Sequence, residues 1–317
     1  MPSLKHFKGK GTFYMSNICS ILACPVCGGE LTREGGSLLC RQTEKIHTYD
    51  VSREGYVSLL PPGKGRNSRS GDESAMIRSR SAFLESGAYD NISDSIGVLI
   101  DRFAPRHAVG ALTVIDSGCG EGYHSLRIAK KSCELSSDHI MLAAFDASKA
   151  GAAHGAKAGA RAGLSPKDGV GAEWDRDILV SFMTGNIFSL PVKAGCADAV
   201  VSMFAPLALD EMSRVLADDG IVVVAASGED HLYEMREIIY NDVIKKAPSP
   251  KMGDGFTEVC RETVRYKTHL RDSDTIMALF GMTPFCHKAP REGAERLRER
   301  KELTVTVHTE LFVYRKL

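Results

Sequence analysis

Two clusters in this chain carry the residue types that do chemistry. The first is Val114-Ile115-Asp116-Ser117-Gly118-Cys119-Gly120-Glu121-Gly122, which places three glycines directly after an apolar run and ahead of a helix-like segment. Glycine at such a bend lets the backbone approach a ligand closely, because no Cβ intervenes. A dinucleotide-binding loop would space its glycines G-x-G-x-x-G and set a pyrophosphate on the helix N-terminus. Here the spacing is G-x-G-x-G, and Asp116 and Glu121 line the turn. Carboxylates there repel a pyrophosphate and suit a ligand with an ammonium, a sulfonium and no phosphates. That description fits S-adenosylmethionine. Asp116, Gly118, Gly120, Glu121 and Gly122 are therefore candidate cofactor-binding residues.

Two further positions extend this reading. The second apolar run ends in Asp146, where a carboxylate can accept both ribose hydroxyls. The third ends in Thr184-Gly185-Asn186, where Asn186 is a candidate for the adenine edge, with Phe188 and Leu190 as candidates to pack on its face. The plainer alternatives are a strand-terminating Asn and, for the glycine loop as a whole, a bare βα connection.

The second cluster is Cys24-Pro25-Val26-Cys27 followed by Cys40 and His47. A C-x2-C knuckle presents two sulfurs to one tetrahedral ion, and three thiolates with one imidazole make a closed, structural zinc site. Pro25 and the Gly28-Gly29 pair fit the tight turn. The six residues between Cys40 and His47 exceed the usual ligand spacing, so Cys19 and Glu44 are substitute ligands, and four unligated residues in a loop-rich segment are the alternative.

The elements that must position these groups follow from pattern. Short apolar runs at 112–116, 140–146, 178–184, 197–203 and 221–226 alternate with helix-length segments, which predicts a parallel sheet covered on both faces. Helical spacing recurs between Glu73 and Phe103, and again over 230–246 and 272–280, while 303–314 reads as a late strand. The segment 147–163 is helical but rich in glycine, so it is expected to be weakly held. The resulting fold class is α/β, a parallel sheet with helices on both faces and a small β-rich zinc module ahead of it. The expected division is a disordered N-terminal extension over 1–23, a zinc-binding, RNA-recognising module over 24–60, linker and helices over 61–109, and the methyltransferase domain over 110–317.

Composition narrows the class. Forty basic and forty acidic side chains cancel over 317 residues, so net charge argues for no partner. Residues 1–89 hold twelve basic against eight acidic side chains, leaving the rest at −4, which points to the N-terminal part as the surface for a phosphate backbone. The run from Pro61 to Gly71 has linker composition, and five basic residues lie between Lys64 and Arg80, as in a hinge or an RNA-contacting loop. Nine cysteines without a regular framework read as thiols in a reducing compartment, and no stretch is apolar enough for a membrane span. A soluble, cytoplasmic protein is expected.

Taken together the chain resembles the ribosomal RNA (guanine-N1) methyltransferases that modify a hairpin loop of 23S rRNA. The resemblance runs from Cys24 to about Phe285. It rests on Cys24-Pro-Val-Cys27, His47-Thr-Tyr-Asp50, Glu54-Gly-Tyr-Val-Ser-Leu-Leu-Pro61, Gly71-Asp72, Phe83-Leu84 with Gly87-Ala-Tyr89, the glycine loop through Tyr123, Ala205-Pro206, His231-Leu232, Ile239-Tyr-Asn241 and Met282-Thr-Pro-Phe285. It implies a Rossmann-like class I methyltransferase domain with a mostly parallel seven-stranded sheet, that Cys24, Cys27, Cys40 and His47 ligate zinc, that Tyr89, Gly120, Glu121 and His231 line the cofactor site, that the partner is a 23S rRNA hairpin, and that the protein is a homodimer. The chain departs from the family pattern in the longer Cys40 to His47 gap, in His124 as the second residue after the loop, and in Leu207 after Ala205-Pro206. No residue stands out as the acceptor of the guanine N1 proton. A small-molecule methyltransferase and a non-catalytic RNA-binding or assembly protein with a vestigial cofactor site are the competing readings. A nicotinamide-dependent oxidoreductase is disfavoured by the glycine spacing.

Overall fold

The computed structural model describes residues 17–60, 70–106, 111–136, 139–174 and 176–317, with side chains of the first helix from Met76 onward. The N-terminal part is a ribbon of β1 (Thr32–Glu34), β2 (Ser37–Cys40) and β3 (His47–Asp50), antiparallel throughout. Two helices follow, α1 (Ser70–Leu84) and α2 (Asp90–Phe103). The alternating part then begins with β5 (Ala111–Ser117), preceded in the chain by the short β4 (Val57–Ser58). It continues through α3 (Tyr123–Leu135), β6 (His139–Asp146), α4 (Lys149–Ala162), β7 (Ile178–Thr184) and β8 (Ala197–Met203). After α5 (Leu209–Val215), β9 (Leu216–Ser227) and α6 (Tyr233–Ile239), the chain closes with β10 (Phe256–Leu270), α7 (Ser273–Gly281), α8 (Arg291–Arg298) and β11 (Leu303–Lys316).

Among the described residues the main sheet has eight strands in the order β10-β11-β9-β8-β5-β6-β7-β4. Seven of these match the expected class I sheet: five parallel strands, then β11 antiparallel to β9 and β10 antiparallel to β11. The eighth corrects the expected count, because Val57 and Ser58 pair in parallel with Met183 and Thr184 and extend the sheet at its β7 edge. The central strands are buried along nearly their whole length, as strands covered by helices on both faces must be. β5 and β8 are parallel neighbours, but the strand order runs outward in opposite senses from them, so their carboxyl ends open the crevice in which α/β sheets bind ligands.

The segment 17–23 is not a disordered extension. It forms a 3-10 turn at Ile18–Ser20, bridges Leu22 to Val192, and buries Ile18, Ile21 and Leu22. Those side chains share one apolar cluster with Leu31 and Leu38 of the ribbon and with Val57, Ile115, Met183 and Leu190 of the main-sheet part. A ribbon this small buries too little apolar surface for a core of its own, and it borrows the sheet's. Residues 1–16, and the linker expected over 61–69, lie outside the described residues.

The glycines of α4 have a different effect from the one expected. A Cβ on Gly151 would lie 2.5 Å from the Gly120 carbonyl oxygen, one on Gly155 2.5 Å from the Phe182 ring, and one on Gly159 2.2 Å from Ser165 Oγ. Their spacing puts all three on the same helix face. Without side chains there, α4 lies directly against the glycine loop and β7. Its helix propensity is low, but its close packing replaces what propensity lacks.

The helix expected over 230–246 ends at Ile239, where α8 packs across it: a Cβ on Gly293 would sit 2.2 Å from the Ile239 carbonyl oxygen, and Arg296 donates to the Ile238 and Ile239 carbonyls. Among the described residues no helix is long and apolar enough to cross a membrane.

Candidate active site and metal centre

The metal centre is built by register. Cys40 at the end of β2 and His47 at the start of β3 are direct cross-strand partners, so the six residues between them only close a hairpin and do not separate the ligands. The knuckle is folded by the Cys24 amide donating to the Gly29 carbonyl at 2.7 Å and the Gly28 amide donating to the Cys24 carbonyl at 2.8 Å. Gly29 has to be glycine, because a Cβ would meet Gln42 at 2.5 Å and Cys40 Sγ at 2.9 Å.

The ligand atoms of Cys24, Cys27, Cys40 and His47 all lie within 4.8 Å of one another. Cys27 Sγ is 3.4 Å from Cys40 Sγ, and His47 Nδ1 is 3.5 Å from Cys24 Sγ and 3.6 Å from Cys27 Sγ. Bond lengths of about 2.3 Å to sulfur and about 2.0 Å to nitrogen give tetrahedral edges of about 3.5 to 3.8 Å, so the donor set fits zinc. Neither Cys19, buried in the shared core, nor the exposed Glu44 belongs to the cluster. Burial opposes ionisation of Cys24, but the Tyr49 hydroxyl at 3.1 Å and the Val26 and Cys27 amides outweigh it and bring the thiol down to about 7. Thiolates are the form a metal needs.

The glycine loop sits at the carboxyl end of β5, with Gly118, Gly120 and Gly122 at φ of +95°, +58° and +85°. These are left-handed values that a side chain resists. A Cβ on Gly122 would also reach to 2.3 Å from the Phe182 ring. Asp116 lies beneath the loop, fully buried, where its carboxylate accepts from Ser125 Oγ at 2.6 Å. Burial pushes its pKa up to about 6, with the Asp146 and Glu121 charges adding to the effect and the Ser125 hydrogen bond opposing it.

Asp146 accepts from the Gly120 amide at 2.9 Å and the Ser148 amide at 2.8 Å, so it holds the loop in shape at the place expected for a ribose. The Gly185 amide donates to the Asp146 carbonyl, which brings Asn186 alongside. Asn186 Oδ1 accepts from the Phe188 amide at 3.1 Å. Leu190 belongs to the core, and Phe188 alone of the two expected ring contacts is exposed, at 60%. Gly120, Asp146 and Asn186 thus form a continuous rim across the ends of β5, β6 and β7.

A cavity of about 560 Å³ opens on the other side of the loop, at the ends of β8 and β9. Its walls include Arg80, Tyr89, His124, Phe204, His231 and Phe285. The His308 amide donates to His231 Nδ1 at 3.2 Å, so the neutral ring carries its proton on Nε2 and donates to the Tyr89 hydroxyl at 3.1 Å. Burial lowers His231 to about 4 and His124 to about 3, and it keeps the Tyr89 phenol protonated. With its oxygen accepting from His231, Tyr89 keeps its own proton for an acceptor in the cavity. Phe204 and Leu232 both line this cavity with φ of +52°. Backbone held in that region costs about 1–3 kcal/mol and concentrates at functional sites.

Sequence reasoning placed Arg80 among basic residues of a hinge or RNA-contacting loop. It instead projects from α1 to the glycine loop and forms an ion pair with Glu121, whose side chain is 1% exposed. Among the described residues the Glu121 carboxylate has that guanidinium as its ion-pair partner and accepts no hydrogen bond. The position a Cβ on Gly120 would take lies 3.5 Å from Arg80 Nε. Phe204 was missed as well. The available signal was its place directly after a buried strand and before Ala205-Pro206. His124 and Leu207, the departures noted above, both line the cavity.

Two family models match the chain: "RlmA, N-terminal", a zinc ribbon, over residues 22–69, and "Methyltransferase domain" over residues 115–224. YxjB of Bacillus subtilis (strain 168), which bears a 23S rRNA (guanine-N(1)-)-methyltransferase name, is 30% identical over 303 residues, covering 93% of this chain and 96% of its own. The chain belongs to the 23S rRNA (guanine-N1) methyltransferase family. Another relative is the 23S rRNA (guanine(748)-N(1))-methyltransferase of Streptomyces fradiae, 28% identical over 288 residues, 89% of this chain and 92% of that one. A member from Micromonospora griseorubida is 28% identical over 316 residues, 93% of this chain and 97% of its own.

Family membership makes this an S-adenosylmethionine-dependent methyltransferase with a zinc ribbon. The geometry fits that cofactor. Three carboxylates, Asp116, Glu121 and Asp146, stand around the loop against the Arg80 guanidinium, a field that favours the positive sulfonium and ammonium groups and disfavours a pyrophosphate.

Proposed function

We propose that this protein transfers a methyl group to N1 of a guanosine in a hairpin loop of 23S rRNA, in the cytoplasm. The observation that carries the proposal is the aromatic-walled cavity beside the glycine loop, large enough for a base swung out of its strand. The relatives' names supply the nucleobase and the position on it.

Bound S-adenosylmethionine supplies an electrophilic methyl on a sulfonium, and the protein's part is alignment and exclusion of water. In this reading Gly118, Gly120 and Gly122 let the cofactor lie against the backbone. Asp146 turns an oxygen lone pair to the ribose, and Asn186 and Phe188 meet the adenine. Arg80, held at Gly120 by Glu121, takes the carboxylate of the cofactor's amino-acid end. Tyr89, polarised by neutral His231, donates a hydrogen bond into the cavity, and Phe204 and Phe285 flank the base. Hydrogen bonding to guanine O6 by such a donor would favour loss of the N1 proton to solvent as the nitrogen–carbon bond forms and the carbon–sulfur bond breaks. The zinc ribbon fixes the RNA's position relative to the cavity, and a homodimer is retained from the family resemblance alone.

The test is incubation of the purified chain with labelled cofactor and unmethylated 23S rRNA, with the modified site mapped by reverse-transcription stops. A stop at an unpaired guanosine that disappears with the Phe204→Ala variant is the expected result. Label transferred to a small acceptor but to no RNA position would overturn the proposal.

A further inference from the structure

The zinc ribbon does not carry the charge to hold a phosphate backbone by itself. Over residues 24–60 it has four cations, Arg33, Arg41, Lys45 and Arg53, against five carboxylates. Two of those cations are committed elsewhere. Arg33 donates to the carbonyls of Asp168, Gly169 and Val170 at 2.6–3.0 Å, and Arg41 is paired with Glu34 at 2.9 Å. The excess of basic residues at the N-terminal end of the sequence therefore does not translate into a basic ribbon.

A basic surface exists where the ribbon meets α4. A groove of about 610 Å³ is lined by Arg53, Glu54, Lys157, Ala160, Arg161 and Lys167. Four cations surround one carboxylate, and Glu54 sits 3.5 Å from Lys157, itself 60% exposed. In a chain of zero net charge that concentration is local and strong. α4 contributes in one direction only, since it holds Lys149, Lys157 and Arg161 and no carboxylate. Its glycine face packs inward, which turns Lys157 and Arg161 toward solvent.

The four cations come from three separate segments, and backbone contacts fix them together. The Val170 amide donates to the Gly55 carbonyl at 3.0 Å, and the Gly55 and Gly169 backbones approach so closely that a Cβ on Gly55 would lie 3.4 Å from the Gly169 Cα. Arg33 clamps the same loop from β1. The surface is therefore rigid and shared by both parts of the molecule.

We propose that this seam, and not the ribbon alone, is the phosphate-binding surface for the RNA strand flanking the target base. This rests on the RNA substrate argued under Proposed function and adds where its backbone is held. α4 starts against Gly120, and at about 1.5 Å per residue Lys157 to Arg161 lie roughly 10–15 Å farther along it, within reach of phosphates two or three nucleotides from a base in the cavity. Contacts by long cationic side chains to phosphates position a strand without reading its sequence.

The test compares the full-length wild-type protein with the variant Arg53→Gln, Lys157→Gln, Arg161→Gln, Lys167→Gln. Binding to an unmethylated 23S rRNA fragment is measured by fluorescence anisotropy at several salt concentrations, and S-adenosylmethionine binding by calorimetry. Each lost phosphate contact removes about 0.7 to 0.9 from the slope of log affinity against log salt, so loss of all four should make the variant's slope smaller by about 2.8 to 3.6, with cofactor affinity unchanged. An unchanged slope and RNA affinity overturns the proposal, as does wild-type protein that fails to bind the RNA. Parallel loss of cofactor affinity also overturns it, because the substitutions would then be acting through the fold. If the wild-type protein binds the fragment without methylating guanosine N1, the proposed function fails while the slope comparison still decides the seam.

Discussion

The metal centre and the cavity differ in how their walls are brought together. Cys24 and His47 stand 23 positions apart and meet through one hairpin and one knuckle. The cavity draws on α1, the start of α2, the ends of β8 and β9, the loop at 248–250 and the turn after α7. A short loop closes cheaply and a bound ion holds it shut, so the four donor groups of the first site can be gathered locally even though the ribbon's apolar side chains pack into the sheet's core. The second exists only when the whole sheet has formed, and its polar groups are tuned by burial that no local segment provides.

The largest expected effect tests that local gathering. Replacing Cys24 and Cys27 with Ser should remove on the order of 10 kcal/mol of metal-linked folding energy from the ribbon, the scale of structural zinc in small modules. Hydrogen exchange over 17–60 should rise toward the unprotected rate. Cofactor affinity should stay within about threefold by calorimetry. Equal loss of both would mean that the shared core makes ribbon and sheet one cooperative unit.

Gly122→Ala acts on the other region. It sets a Cβ against Phe182 at a φ of +85°, and should cost about 2–4 kcal/mol in urea unfolding. Adding Phe182→Leu should restore part of that loss; no recovery would place the strain in the backbone alone.

Arg80 sharpens the contrast at the level of one contact. Wild-type protein should prefer S-adenosylmethionine over its decarboxylated analogue by about ten- to thirtyfold, the value of a charged hydrogen bond of about 1.5–2 kcal/mol. Arg80→Ala should erase the preference. A variant that keeps it would assign the carboxylate to another partner.

The smallest effects are titrations of the buried groups. Asp116 holds its proton more tightly in the folded state, about 6 against 3.8, so its contribution to stability is full below 3.8 and is lost as pH rises to about 6. Asp116→Asn should therefore stabilise the protein by about 1–2 kcal/mol at pH 7 while weakening cofactor binding. His231 and His124 are lowered from 6.5 to about 4 and about 3, so their contribution is full above 6.5 and lost as pH falls toward those values. Urea titrations between pH 3.5 and 7 separate the two signs: Asp116→Asn should raise the curve only at its upper end, and acid weakening should persist.

The parts legible in the sequence are those decided by local pattern. Five parallel strands fell where short apolar runs end in Asp, Thr, Met or Ala, and the three thiols and one imidazole that lie within 4.8 Å of one another were named despite their spacing. The strand β10 was not anticipated, although its side chains alternate between half-buried and exposed from Cys260 to His269, the signature of an edge strand with one wet face. Charged residues on that wet face hid the pattern. The order at 17–23 was missed because Ile18, Ile21 and Leu22 gain their burial from Leu190 and Val192, far along the chain.

By itself, the sequence determined the glycine loop, the thiol-and-imidazole set, the alternation of strand and helix, and the family to which they belong. Each is a matter of residue type at short spacing, where backbone geometry leaves few options. Only the tertiary structure decided that Cys40 faces His47 across a hairpin, that Arg80 reaches Glu121 at the cofactor loop, that Val57 adds a strand to the sheet, and that Arg53 joins Lys157 and Arg161 on one surface. Those pairings depend on which distant elements pack together, and packing is settled by burial summed over the whole chain.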